Sequence, residues 1–124
     1  MGKESQVVIV NDYDHYKPSS ENHSYDLIAV VDMSKAGYDF PYLFKHEIEG
    51  NKGIRSVFAD NRTTEDMYGD RLKYATIQEV LDYFDNENCP RDLKEYRRTP
   101  ILIATLKSID EKRWDSVKVF CFNY

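Results

Sequence analysis

The first apolar runs along the chain predict two β-strands separated by a polar loop. Residues 6–10 form a short β-branched run, which Asn11 and Asp12 end because their side chains compete for the local backbone. Residues 11–24 contain almost no aliphatic side chain and are expected to form a long exposed loop. Residues 26–32 are apolar on both alternating faces, a pattern that predicts a central strand covered on each side.

The middle of the chain predicts a hairpin and further strands. Residues 42–49 and 54–59 alternate imperfectly between apolar and polar positions, and they flank a loop whose glycines can supply positive φ. We therefore expect these two segments to pair with each other. A brief strand is expected over residues 71–75, and the last apolar run predicts a strand over residues 116–122.

Apolar spacing in the second half of the chain predicts helices. Thr76 and Glu79 have the spacing of a capping box, in which each side chain bonds the other residue's backbone amide, so we expect a helix over residues 77–84. A short helix is expected over residues 90–98, because proline suits a first helical turn. Residues 100–109 are apolar nearly all round, which predicts a buried helix and leaves a strand as the alternative.

These elements together indicate an α+β fold. We expect a mostly antiparallel sheet of about five or six strands, with two or three short helices concentrated in the C-terminal half. The length of 124 residues suits a single domain over residues 1–124, with residues 1–5 disordered.

The charge of the chain limits its partners. The net charge is −5, and the acidic excess lies in residues 1–90, whereas residues 91–124 carry more basic than acidic side chains. An acidic body repels phosphate backbones, so we expect no general nucleic-acid binding. Cys89 and Cys121 are not clustered, and we expect both to remain thiols without a disulfide.

The polar loop over residues 60–71 is the first candidate binding site. Thr63 stands three positions before Asp66 and resembles the cap of a single helical turn that Gly69 ends. Arginine forks and the amides of a helix start both recognise carboxylate or phosphate groups, although an ordinary capped surface turn has the same composition. The predicted contact residues are Arg62, Thr64, Asp66, Tyr68 and Arg71.

Tyrosines supply the second candidate surface. The chain has ten of them, and half fall within residues 1–42, in or beside predicted loops. Tyr13 and Tyr16 are the candidates for partner contact, because a large amphipathic ring offers contact area at low entropic cost. The alternative is that several tyrosines simply cover the sheet with their hydroxyl groups in water.

Charged and catalytic patterns give weaker signals. Arg91, Lys94 and Arg98 recur at helical spacing, and this basic face suits an acidic partner, a phosphate or simply the dipole at a helix end. The histidines lack the spacing of a zinc site, and the chain has no phosphate-binding glycine loop and no nucleophile-elbow serine. We expect no metal, no cofactor and no catalytic residue, with a hydrolase that pairs His46 with Asp60 or Asp66 as the alternative.

The sequence therefore favours a non-enzymatic binding protein, an inhibitor or neutralising protein that occupies a partner's site. Small acidic aromatic-rich chains without catalytic motifs are typical of phage anti-defence and immunity proteins, which is an analogy of type only. The alternative is a nucleotide- or phosphate-ligand-binding protein or enzyme that uses the 60–71 loop. We expect a protein partner, with homo-oligomer formation as a further option.

The expected location is the cytoplasm, which would be the host cytoplasm for a phage-encoded chain. No apolar run approaches the ~18 residues that a membrane-spanning helix needs. The first residues also lack the apolar segment of a secretory signal. We therefore expect no membrane contact.

Overall fold

A computed structural model describes residues 4–12, 25–33, 43–48, 53–55 and 62–124. Within these residues the chain forms seven strands, three α-helices and one 3₁₀ helix over Glu111–Ser116. The strands are β1 (Ser5–Asn11), β2 (Asp26–Asp32), β3 (His46–Glu47), β4 (Ile54–Arg55), β5 (Arg62–Thr63), β6 (Lys73–Ala75) and β7 (Val117–Asn123). The helices are α1 (Ile77–Asp85), α2 (Arg91–Lys94) and α3 (Thr99–Lys107).

Five of the strands form one antiparallel sheet in the order β2-β1-β7-β6-β3, and β4 pairs with β5 in a separate antiparallel pair. The predicted α+β fold with a mostly antiparallel sheet is therefore confirmed. Among the described residues, all helices follow β6, as the apolar spacing predicted.

The centre of the sheet is β1 and β7, not β2. All seven residues of β7 are buried, and β1 pairs with it from Ser5 opposite Asn123 to Asn11 opposite Val117. The strand over residues 26–32 was predicted to be central, and this prediction is wrong. It lies at an edge of the described sheet, where Leu27 is 46% exposed. The runs in β1 and β2 are equally apolar, so the pairing of β1 with the distant β7 decides which is covered.

The predicted hairpin between residues 42–49 and 54–59 is also wrong within the described residues. β3 pairs with β6, and β4 pairs with β5. The position of Gly53 leaves no room for a side chain, because a Cβ atom there would lie 2.7 Å from the backbone oxygen of Thr63. The glycine therefore allows the β4 and β5 backbones to approach each other closely.

The sheet carries an apolar cluster on each face. Alternate β7 residues point to opposite sides, so Val119 packs with the helices while Phe120 packs away from them. The helix-covered cluster includes Ile77 of α1, Leu93 of α2 and Leu102 of α3. The opposite cluster contains Val8, Val10, Tyr25, Ile48, Ile54, Leu72, Phe120 and Phe122.

The helices follow the local signals closely. In α1 the Thr76 hydroxyl accepts from Glu79 N at 3.1 Å while Glu79 Oε1 accepts from Thr76 N at 3.0 Å, which confirms the capping box. The segment predicted over residues 100–109 is helical rather than a strand, although Ile101 on α3 is half exposed and the helix is not buried all round. The helix α2 is shorter than the predicted 90–98.

The two ends of the described chain are connected by backbone hydrogen bonds. Glu4 N donates to Tyr124 O, and Tyr124 N donates to Glu4 O, both at 2.9 Å. The expected disorder of residues 1–5 therefore does not extend to Glu4 and Ser5. Within the described residues, no helix has the length and apolar character to span a bilayer.

Candidate functional site: the 66–71 turn

A closed loop leads from β5 back to β6. Glu65 and Arg71 face each other in an isolated antiparallel bridge, and Leu72 N donates to Thr64 O at 2.9 Å. Residues 66–70 lie beyond this bridge, and together with Arg71 they are here called the 66–71 turn. Gly69 has a φ of 83° and N–H bonded to Asp66 O at 3.1 Å, so a glycine suits this left-handed position.

Asp66 organises the turn from inside. Its Oδ1 atom accepts from Tyr68 N at 2.9 Å and from Asp70 N at 3.1 Å, and its own N–H donates to Asp70 O at 2.9 Å. The residue is only 8% exposed. The predicted cap at Thr63 is therefore wrong. The Thr63 hydroxyl instead bonds both backbone groups of Glu65, so Asp66 is the residue that caps the turn.

A polar network connects Asp66 to the centre of the sheet. Asn123 Nδ2 donates to Asp66 Oδ2 at 3.3 Å, and Asn123 Oδ1 accepts from the Ser5 hydroxyl at 2.7 Å. The backbone adds a further link, because Met67 N donates to Asn123 O at 3.0 Å. The turn is thus anchored to the last residue of β7 and, through it, to the first residue of β1.

The tip of the turn presents two large side chains. Met67 is 60% exposed and Tyr68 is 55% exposed, and the Tyr68 hydroxyl donates to Tyr124 O at 3.4 Å. Both rank among the most exposed large hydrophobic side chains of the described residues. Tyrosine is enriched among the residues that carry binding energy in protein interfaces.

A pocket of about 440 Å³, here called the turn pocket, lies beside the turn. This volume falls within the range of small-ligand sites. Asp70, Arg71 and Lys73 supply charged groups, and Phe44, Leu72 and Cys121 supply apolar ones. Asp66 and Asn123 of the polar network complete the lining.

The predicted contact residues differ in their exposure and in the bonds that they make. Tyr68 and Arg71 are exposed, whereas Asp66 is buried and bonds the backbone of the turn. Thr64 is half-buried, and its backbone oxygen accepts from Leu72 N, one residue before β6. Arg62 belongs to β5, and its side chain lies outside the described residues, as do Tyr13 and Tyr16.

Comparisons of the chain with protein-family models, with curated proteins and with solved structures give no significant match. Any functional conclusion therefore rests on the chain's own geometry. Within that geometry, the 66–71 turn and the turn pocket are the candidate binding features.

His46 does not join Asp66. Its Nε2 atom lies 2.8 Å from Glu79 Oε1, and both side chains are well exposed. Partial burial alone would raise the pKa of Glu79, but the bond from Thr76 N and the bond and charge of His46 outweigh it and hold the pKa below its ordinary value. The proposed acid–base pair of His46 with Asp66 is therefore wrong, and Asp60 lies outside the described residues.

Two of the three residues of the predicted basic face, Arg91 and Arg98, form ion pairs with carboxylates of the same chain. Arg91 Nε lies 2.9 Å from Glu95 Oε1, one helical turn away. Arg98 Nη1 lies 3.1 Å from Asp32 Oδ2 and donates to Asp32 O at the same distance. Arg98 thus ties the segment before α3 to the end of β2, which favours a structural role for this face.

Local pattern reasoning missed a buried ion pair on the opposite face of the sheet. Lys118 Nζ lies 2.8 Å from Asp12 Oδ2, with the side chains 10% and 5% exposed. The ammonium also lies 4.7 Å from the ring centre of Tyr74 and 5.4 Å from that of Tyr25. The available signal was a lysine inside the otherwise apolar run of β7, which needs a partner when it is buried.

Both cysteines of the chain lie among the described residues. Cys89 and Cys121 are both buried thiols, as expected. Within the described ranges, no group of three or more histidine, cysteine, aspartate or glutamate side chains could hold a metal ion.

Proposed function

We propose that this chain is a non-enzymatic binding protein that contacts a protein partner through the 66–71 turn. In this proposal it acts as an inhibitor or neutralising protein by occupying the partner's site. The supporting observation is that Met67 and Tyr68 lie exposed on a turn whose base is held by a buried carboxylate.

The arrangement of the turn contributes little to the stability of the fold, which favours a role in binding. Burial of a methionine or tyrosine side chain stabilises a fold, but Met67 and Tyr68 remain more than half exposed and contribute little of this term. Meanwhile the chain buries the charge of Asp66 and the amide of Asn123, which costs free energy unless their bonds are made. The network therefore serves chiefly to hold the turn in one shape.

A preformed turn binds at a lower cost than a mobile one. A side chain or loop that is ordered on association loses conformational entropy, and this loss reduces affinity. The hydrogen bonds from Tyr68 N and Asp70 N to Asp66 fix the backbone of the turn before any partner arrives. Tyr68 and Met67 then offer an aromatic and a flexible apolar contact side by side.

Affinity capture from cells that contain the partner tests this proposal. The chain is immobilised as wild type, as the double variant Met67→Ala/Tyr68→Ala, and as the control Ile101→Ala, which removes an equally exposed apolar side chain from α3. We expect a partner that the wild type and the control recover and the double variant loses. Recovery that is identical for all three proteins would contradict the proposal, as would repeated turnover of a substrate by the pure chain.

A further inference from the structure

Another cavity, of about 640 Å³, lies between α1 and residues 107–115, and it is here called the Trp114 groove. One wall follows α1 at helical spacing, because Ile77, Leu81 and Asp85 lie four residues apart and share one side of the helix. The other wall is the end of α3 and the 3₁₀ helix. The 3₁₀ helix leads directly into the first residue of β7, whereas the 66–71 turn is bonded to the last residue of that strand.

The charged side chains of the groove are exposed and are not compensated within the chain. Asp85, Glu111, Asp115 and Lys107 all line the groove. Among the residues that the structure describes, none of these four side chains forms an ion pair or a hydrogen bond. Three carboxylates and one ammonium leave an excess of negative charge, so the groove attracts a cation. The carboxylates do not form a group that could hold a metal ion, which favours a larger organic cation.

The end of α1 adds to this negative field. A helix C-terminus carries a partial negative charge, which a lysine or arginine in the last turn usually offsets. The last turn of α1 has no basic residue, and the helix ends in Asp85. A cation from outside the chain would therefore be stabilised by the helix end as well as by the carboxylates.

Trp114 supplies an aromatic surface next to these carboxylates. Its Nε1 atom donates to Ile109 O at 2.9 Å, and its ring packs against the helix-covered cluster, so the ring is held in place. The side chain is half-buried and keeps part of its surface open, whereas Ile77 and Leu81 are already buried and form only the floor. Tryptophan is the aromatic side chain that attracts cations most strongly.

We propose that the Trp114 groove binds an arginine side chain of a protein partner. The guanidinium stacks on the Trp114 ring, and its N–H groups donate to the carboxylates of Glu111 and Asp115. Arginine suits this arrangement better than lysine, because its planar group can stack on a ring and donate to carboxylates at the same time. The net charge of −5 also attracts a basic partner. The inference rests on the proposed function only in taking the cation from a protein.

The fluorescence of Trp114 tests the inference directly, because the chain contains no other tryptophan. The probe is the peptide Ala-Arg-Ala with an acetylated and an amidated end. The matched control carries citrulline in place of arginine, which keeps the shape and removes the charge. We expect the arginine peptide to change the emission in a saturable way that added salt weakens. The citrulline peptide should bind at least about two- to fivefold more weakly, as expected for the loss of an exposed ion pair.

Single substitutions locate the site on the chain. Glu111→Gln and Asp115→Asn should each weaken binding of the arginine peptide by about two- to fivefold. Lys107→Met should strengthen binding, because it removes a competing cation. Asp92→Asn, which changes an exposed carboxylate of α2 outside the groove, should leave binding unchanged.

Three results would contradict the inference. Equal binding of the arginine and citrulline peptides, or no saturable change in emission, would overturn it. Tighter binding of the peptide Ala-Lys-Ala would overturn the choice of arginine. Tighter binding of methylguanidinium than of the arginine peptide would show that the groove takes a free cation and not a protein side chain.

The proposed function is tested separately, because Met67 and Tyr68 do not line the Trp114 groove. The variant Met67→Ala/Tyr68→Ala should therefore bind the arginine peptide as the wild type does. Loss of peptide binding in this variant would show that the peptide binds elsewhere and would overturn the inference. A failed peptide titration, in turn, would not alter the result of the capture experiment.

Discussion

Two buried carboxylates bond to side chains of β7, and the chain compensates their charges in different ways. Asp12 pairs with the ammonium of Lys118 on the face opposite the helices, beside the rings of Tyr25 and Tyr74. Asp66 instead accepts from two backbone amides and from the amide side chain of Asn123. The ion pair links a loop end to the sheet core, whereas the amide bonds fix the path of a surface turn.

The surroundings of the two carboxylates differ as well. Next to the Asp12–Lys118 pair, Tyr25 is buried and Tyr74 is half-buried, so the pair belongs to the packing of the fold. Next to Asp66 the large side chains of Met67 and Tyr68 remain more than half exposed. This difference supports the proposal that Asp66 holds a contact surface, whereas the Asp12–Lys118 pair stabilises the fold.

Removal of the cation from the ion pair should have the largest effect on stability. Lys118→Met removes the cation that lies 2.8 Å from the buried carboxylate of Asp12, which should lower the free energy of unfolding by about 3–5 kcal/mol. The double variant Asp12→Leu/Lys118→Met should recover much of this loss, because neither charge of the pair remains buried. Urea denaturation of both variants measures the effect, and a loss below about 1 kcal/mol for Lys118→Met would show that the pair does not stabilise the core.

Loss of the Asp66 carboxylate should have a smaller effect, concentrated in the turn. Asp66→Ala leaves Tyr68 N, Asp70 N and the Asn123 side chain without their acceptor, which should cost about 1–3 kcal/mol. Amide hydrogen exchange should accelerate at residues 67–70 more than in β1 or β7. Asp66→Asn, which keeps one acceptor oxygen, should show a milder form of both effects, and uniform acceleration throughout the sheet would contradict a local role.

The double variant Met67→Ala/Tyr68→Ala should leave stability almost unchanged. Both side chains are mainly exposed, and surface substitutions usually alter the free energy of unfolding by no more than about 0.5 kcal/mol. Thermal unfolding measures this directly. A larger loss would mean that the two side chains pack against the fold, and it would weaken the contrast with Asp12.

A third carboxylate, Glu79, should contribute a small pH dependence. Its pKa is lowered in the folded chain, so its contribution to stability is present above the pKa of the unfolded state and is lost as the pH falls through the folded value. Glu79→Gln should therefore flatten the decline in stability below about pH 4.5. Asp115→Asn, an exposed carboxylate of the 3₁₀ helix, is the control, and equal flattening in both variants would argue against a specific role for Glu79.

The success of prediction from sequence depended on the separation of the interacting residues. Thr76 and Glu79 are three positions apart, so the start of α1 could be predicted from a local pattern. Asp12 and Lys118 are 106 positions apart, and their contact depends on the pairing of β1 with β7, which no local pattern encodes. The same pairing placed residues 26–32 at an edge of the described sheet.

The role of the 60–71 loop as a binding site remains a prediction. Its composition indicated a ligand-facing segment, and Tyr68 and Arg71 are exposed there. The buried position of Asp66 could not be predicted from the loop alone, because its partner Asn123 lies 57 positions away. The pocket residues Phe44 and Cys121 were not predicted as site residues. They lie far apart in the sequence, and neither forms part of a recognisable binding motif.

Site-specific photocrosslinking in cells tests the central claim most directly. A benzoylphenylalanine in place of Tyr68 puts the reactive group at the tip of the 66–71 turn, and one in place of Ile101 puts it at an equally exposed point on α3. The account predicts a discrete crosslinked protein from position 68 that is missing from position 101. The same pattern of adducts from both positions, or no discrete adduct from position 68, would contradict the claim that the turn is the contact surface.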